Sequence, residues 1–179
     1  VTLGRDVAWP GSVQLDVRGR VTAAGTWEWT LREQSTGNAG LRRRLADREL
    51  SAGERVRAHA DRLVDRGLQA EVVDVVAAGH DDWSAPFEVV VELRSRRPLL
   101  RGGDELFMRR SITPPSSLPR WPDDRVTPVA LRFLPTRHEQ WAIELPAGAT
   151  VDADSVDARR GGVSTRATWA AREGRLYVT

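Results

Sequence analysis

The 179-residue sequence contains no cysteine. Disulfides, cysteine-ligated zinc or iron–sulfur centres and thiol nucleophiles are therefore excluded for this chain. Lysine is also absent, so all 27 basic residues are arginine, set against 25 acidic residues for a formal charge of +2. Because this excess is small, no strong positive field arises, and we predict no nucleic-acid partner.

Long apolar runs are missing as well. No stretch approaches the roughly 18 residues that a membrane-spanning helix needs, and we predict no transmembrane segment in this chain. Apolar residues make up 40% and charged residues 29%, which is typical of a globular domain. The first residue is Val1 rather than methionine, and residues 176–179 read as a strand that stops, so we expect a fragment of a larger protein.

Alternation of apolar and polar side chains predicts strands along most of the chain. The segment from Val13 to Leu31 predicts an antiparallel hairpin, with a turn at Arg18-Gly19-Arg20. Further strands are predicted in several short segments, namely 70–77, 87–93, 106–108, 129–133, 141–145, 163–171 and 176–178. The last two of these are joined by a turn at 173–174, whereas 136–139 reads as a tight turn that contains His138.

A helical pair, at about residues 39–66, is predicted between the early strands. Asn38 is expected to cap the first helix, with Leu41 and Leu45 on its apolar side and Arg42-Arg43-Arg44 on its solvated side. Ser51 and Glu54 have the spacing of a capping box at the start of the second helix.

These elements predict a mainly β (α+β) fold, an antiparallel β-sandwich-like arrangement with the helical pair inserted. We expect a single β-rich domain over 1–179. Four prolines in 111–125 read as an extended connection, and a sub-division at that point stays open.

The densest polar group is His80-Asp81-Asp82-Trp83. On an extended chain His80 and Asp82 point to the same side and could meet one ion, whereas Asp81 could not. The plainer interpretation is a solvated loop between two strands. No Gly-x-Ser-x-Gly turn or phosphate-binding loop is present, so we predict no catalytic residue, no metal and no cofactor.

Tryptophan is in excess, with seven residues. Trp27, Trp29 and Trp141 share strand faces with aliphatic residues and are predicted to be core. Trp83 and Trp121 lie in polar or proline-rich turns, where periodicity gives an indole no reason to be buried. Both are therefore candidate binding residues, together with His80 and Asp82, although they could instead cover an edge of this domain.

The order of these segments resembles the region C-terminal to the catalytic core in bacterial transglutaminase-like proteins. The resemblance rests on Val-Gln-Leu-Asp-Val-Arg-Gly-Arg-Val at 13–21, Phe-Glu-Val-Val-Val-Glu-Leu at 87–93, Val-Ala-Leu-Arg-Phe at 129–133 and Trp-Ala-Ile-Glu-Leu-Pro-Ala-Gly at 141–148. Its sharpest element is the Leu-Pro-x-Gly turn at 145–148, and it covers most of residues 10–179. Such proteins place a β-rich domain first, a papain-like Cys-His-Asp core second and a β-rich region third.

The resemblance implies a noncatalytic accessory domain, because without cysteine no nucleophile can be carried over. Its partner would be the catalytic domain of the same polypeptide or another protein, and its location the periplasm or the cell surface. Two other functions stay open. One is a free-standing carbohydrate- or peptide-binding module that uses Trp83 and Trp121, and the other is an enzyme that uses a metal at the His80 loop. The oligomeric state is left open.

Overall fold

The computed structural model describes residues 11–65, 70–102, 105–107, 136–151, 156–160 and 163–178. The elements in chain order are β1 (Ser12–Val21), β2 (Trp27–Ser35), α1 (Gly37–Arg48), α2 (Ala52–Asp65), β3 (Ala70–Ala78), β4 (Phe87–Ser95), β5 (Leu100–Gly102), β6 (Glu105–Phe107), β7 (Thr136–Glu144), β8 (Val156–Arg160), β9 (Val163–Ala167), β10 (Trp169–Arg172) and β11 (Arg175–Val178). The mainly β, α+β class with a helical pair is confirmed.

Seven strands form one mixed sheet in the order β10-β11-β7-β1-β2-β4-β3, and β5-β6 and β8-β9 form two further hairpins. All pairs in the large sheet are antiparallel except β1 with β7, which run parallel from Ser12 opposite Thr136 to Arg20 opposite Glu144. The expectation of antiparallel pairing throughout was therefore wrong at this place. Alternation specifies which side chains face the core, and it does so equally for either strand direction.

The first hairpin forms as predicted, but its turn lies elsewhere. β1 continues through Gly19 to Val21, and the chain reverses at residues 22–26, where the Thr22 amide donates to the Thr26 carbonyl at 2.8 Å. Gly25 takes a positive φ of 81° in this turn. Gly19 stands opposite Trp29 in the strand pairing, and a Cβ there would clash with the backbone carbonyl oxygen of Glu28 and lie 2.5 Å from Cδ1 of the Trp29 indole. This glycine lets the β2 backbone and the indole approach closely instead of making a turn.

One face of the large sheet forms the core. It carries buried aliphatic residues from six strands, including Leu15, Leu31, Val72, Val91, Ile143 and Leu176. Trp27 stacks on Trp29 with 4.0 Å between ring centroids, and Trp29 meets Trp141 edge to face at 5.8 Å. The prediction that these three tryptophans belong to the core is confirmed. The opposite face, called the outer face below, is mainly polar, although it also carries the exposed Val76.

The two helices attach to the core face in different ways. Val56 and Ala60 of α2 pack against the core, as expected for an amphipathic helix. Its capping box is confirmed: the amide of Ser51 donates to Glu54 at 2.7 Å, and the amide of Glu54 lies 3.4 Å from the Ser51 hydroxyl. The same contacts lower the pKa of Glu54, because hydrogen bonds from Ser51 favour the carboxylate.

Helix α1 departs from its prediction in three respects. It begins at Gly37 with Thr36 as N-cap, so Asn38 lies inside the helix. The hydroxyl of Thr36 lies 2.9 Å from the hydroxyl of Ser12 and makes no cap hydrogen bond. Leu45 is 55% exposed, and the helix buries Gly40, Arg44 and Asp47 instead.

In the C-terminal part, the turn at Glu173 and Gly174 is confirmed, with φ values of 51° and 72°. His138 lies inside β7 on an exposed position, not in a tight turn. The predicted strand 129–133, the proline-rich segment 111–125 and Trp121 lie outside the described residues. Neither described helix combines the length and apolarity that crossing a membrane requires.

Candidate binding site

The loop between β3 and β4, residues 79–86, contains three of the four candidate residues. It begins at Gly79, whose φ of 85° is left-handed and where a Cβ would lie 2.7 Å from the carbonyl oxygen of Pro86. Only glycine fits this conformation and this close approach without strain. The loop therefore leaves β3 along a fixed path.

Arg44 of α1 anchors the loop through three hydrogen bonds to backbone carbonyls. Its Nε donates to the carbonyl of Gly79 at 2.6 Å, and its Nη2 donates to the carbonyls of Asp82 at 2.9 Å and Ala85 at 2.8 Å. The residue is only 4% exposed. A planar guanidinium can donate in several fixed directions at once, so one side chain fixes both ends and the middle of the loop.

Asp47, one turn further along α1, ties the loop to α2. Its Oδ2 accepts from Nε of Arg55 at 2.8 Å and lies 2.6 Å from Nε2 of His80. The His80 ring meets Phe87 edge to face, with 5.3 Å between centroids. His80 is therefore a bridge between the loop and the helical pair, with its imidazole turned toward the protein.

Asp82 organises the loop from within. Its Oδ1 accepts from the amide and hydroxyl of Ser84, at 2.9 and 2.6 Å, and from the amide of Ala85 at 3.2 Å. Hydrogen bonding from Ser84, first by its hydroxyl and then by its amide, lowers the pKa of Asp82. This is an Asx turn, in which a side chain takes the place of a backbone acceptor.

Trp83 stands at the exposed side of the loop. It is 56% exposed, and the guanidinium carbon of Arg44 lies 5.1 Å from its ring centroid. That distance is within the range of a cation–π contact. Beside it, Asp81 extends into solvent and makes a long ion pair of 3.9 Å with Arg48. The loop thus presents one large aromatic side chain on a well-fixed backbone.

The structure separates the two residues that could have met one ion. His80 contacts Asp47, whereas Asp82 contacts Ser84, so their polar atoms serve different parts of the loop. Within the described ranges, no three histidine, aspartate or glutamate side chains converge on a common point where a metal could bind. The arrangement therefore presents the Trp83 indole to solvent, and the polar side chains of the site fix the loop that carries this indole.

Sequence reasoning missed Arg44 and Asp47, which hold the loop. Arg44 was expected on the solvated side of α1, and this was wrong because the helix turns it toward the loop. A signal existed: Gly40, Arg44 and Asp47 recur at the i, i+4, i+7 spacing of a buried helix stripe. The stripe escaped notice because polar residues occupy two of its three positions.

No protein-family model, no curated protein and no solved structure matches this chain.

Proposed function

We propose that this chain is a noncatalytic interaction domain and that Trp83 is its principal contact residue. The observation that carries the proposal is an exposed indole on a loop that a buried arginine holds by three hydrogen bonds. Tryptophan is enriched among the few residues that contribute most of the binding energy at protein interfaces. A backbone that is already ordered also loses little entropy on association.

The side chains around Trp83 support a noncatalytic role. Asp47, His80 and Asp82 are each engaged in hydrogen bonds within the protein. These hydrogen bonds give the three side chains a structural role, which is to order the loop that carries Trp83 before a partner binds. Turnover of a substrate by the purified chain would overturn this part of the proposal.

The sequence resemblance suggests the partner. In a transglutaminase-like protein the accessory domain would contact the papain-like catalytic domain, and Trp83 would enter a pocket on that domain. The same resemblance favours the periplasm or the cell surface, which fractionation of the producing cells would test.

The test is a binding measurement, by isothermal titration calorimetry, between this chain and the papain-like catalytic domain of a transglutaminase-like protein. We expect W83A to weaken binding at least ~10-fold, because truncation of an interface tryptophan removes a large buried contact. V76A is the matched control, since Val76 is also 56% exposed but lies on the outer face of the sheet. Equal affinity for W83A and the unaltered chain would contradict the proposal.

A free-standing carbohydrate- or peptide-binding module is the second candidate, and the open side of the Trp83 ring favours it. Sugar rings stack on aromatic faces, and Arg44 occupies only one side of this indole. Glycan and peptide arrays probed with the unaltered chain and W83A distinguish the two candidates. The second function is favoured if the unaltered chain binds an array ligand, W83A does not bind it, and the unaltered chain has no affinity for a catalytic domain.

A further inference from the structure

The outer face of the large sheet carries a row of charges that alternate in sign across six neighbouring strands. In order, the row consists of Arg175, Glu144, Arg20, Glu28, Arg94 and Glu71. Its members form three ion pairs between adjacent strands, at 2.8 Å for the first two pairs and 3.0 Å for the third. Each of the six charges in this row is therefore paired with an opposite charge on an adjacent strand.

The next row along the strands is different. Across the same six strands it consists of Tyr177, Ala142, Arg18, Thr30, Glu92 and Asp74. Arg18 stands between two short uncharged side chains, and Glu92 lies directly opposite Asp74, a like-charge pairing that costs stability. Within the described part of the chain, neither Arg18 nor Glu92 makes an ion pair or a side-chain hydrogen bond.

A concavity of about 750 Å³ lies over these two rows. Arg18 and Glu92 both line it, and the short side chains of Thr30 and Ala142 leave open space on either side of Arg18. Arg18 and Glu92 are two strand spacings apart, roughly 10 Å between backbones. Among the residues that the structure describes, the concavity therefore has an arginine without an ion-pair partner on one side and a glutamate without one on the other.

We propose that this concavity binds a short peptide with free ends, whose carboxylate contacts Arg18 and whose ammonium contacts Glu92. Three extended residues span roughly 10 Å, which matches the separation of the two strand positions that carry Arg18 and Glu92. A guanidinium can bind a carboxylate with two parallel hydrogen bonds, and an ammonium beside Glu92 relieves its repulsion with Asp74. This site is independent of the Trp83 loop, none of whose residues lines the concavity.

The test uses triglycine as the probe and the isotope-labelled full chain. Backbone amide shifts in the nuclear magnetic resonance spectrum report both the position and the affinity of binding. We expect triglycine to shift the amides of Arg18, Thr30 and Glu92, and N-acetyl-triglycine and triglycine amide to bind at least ~10-fold more weakly, since each lacks one charge. Equal shifts from the blocked and free peptides would overturn the proposal without any mutation.

Variants then locate the two contacts. R18Q and E92Q should each weaken triglycine binding at least ~10-fold, and each should abolish the preference for the free end that it contacts. R32Q is the matched control, because Arg32 lies on the same face but does not line the concavity. If R32Q weakens triglycine binding as much as R18Q does, the binding reflects general charge attraction. That result would also overturn the proposal.

Discussion

At the scale of single residues, Arg44 shows that the spacing of a helix stripe can indicate a buried face without indicating what that face contacts. Its acceptors are backbone carbonyls 35 to 41 positions away. Because every residue has a backbone carbonyl, no pattern of side chains in the loop indicates that Arg44 will contact it. That Trp83 lies outside the periodic core was predictable, because no apolar periodicity surrounds it, whereas the sequence left open whether its indole covers an edge of the domain.

Removing the guanidinium should loosen the loop while the sheet stays folded. We expect R44M to lower the free energy of unfolding by about 3 kcal/mol, because three charge-assisted hydrogen bonds to partly buried carbonyls are lost together. Urea unfolding followed by circular dichroism measures the change. R48M is the control: Arg48 is exposed and makes only a long ion pair, so a change within about 0.5 kcal/mol is expected. Equal losses in the two variants would show that the three hydrogen bonds contribute nothing.

At the scale of elements, the strands were predicted better than the turns and the first helix. Alternating patterns located β1, β2, β3 and β4 because half of each strand is buried on one face. The error at Gly19 arose because glycine has two uses in a hairpin, reversing the chain or leaving room for a large neighbour. Only the position of Trp29 on the facing strand distinguishes them.

A methyl group at Gly19 should therefore disturb the tryptophan cluster and not a turn. We expect G19A to destabilise the protein by about 3 kcal/mol, because the added Cβ meets the backbone carbonyl oxygen of Glu28 as well as the Trp29 indole, so that β2 and the indole stacked on Trp27 must both shift. Near-ultraviolet circular dichroism of the stacked indoles should change in the same variant. G53A is the matched control, since a Cβ at Gly53 meets nothing within 4 Å and alanine favours a helix. A near-neutral G19A with an unchanged spectrum would contradict this account.

At the scale of the whole molecule, the sheet order was beyond sequence reasoning. β1 lies between its hairpin partner β2 and β7, which begins more than a hundred residues later in the chain. A period-two pattern states which face is covered, but it carries no information about which distant strand is the neighbour or in which direction that strand runs. The fold class was therefore predictable, whereas the parallel pairing in the middle of the sheet was not.

The absence of native cysteine allows a direct test of this pairing. Gln14 and His138 are in register and both exposed on the outer face, so Q14C combined with H138C should form a disulfide under mild oxidation. Loss of free thiols and faster migration in a non-reducing gel would report the bond. Q14C combined with Q140C is the control, because its second cysteine is displaced by two residues along β7. Preferential bonding in the control pair would contradict the parallel register.

The attachment of α1 through Arg44 and Asp47 also affects how the molecule responds to cold. Contacts between apolar surfaces weaken on cooling, because their driving force near room temperature is the entropy of water. Hydrogen bonds to a guanidinium or a carboxylate do not depend on that entropy. Chilling should therefore weaken the packing of the tryptophan-rich core more than it weakens the hydrogen bonds by which Arg44 holds the loop of Trp83.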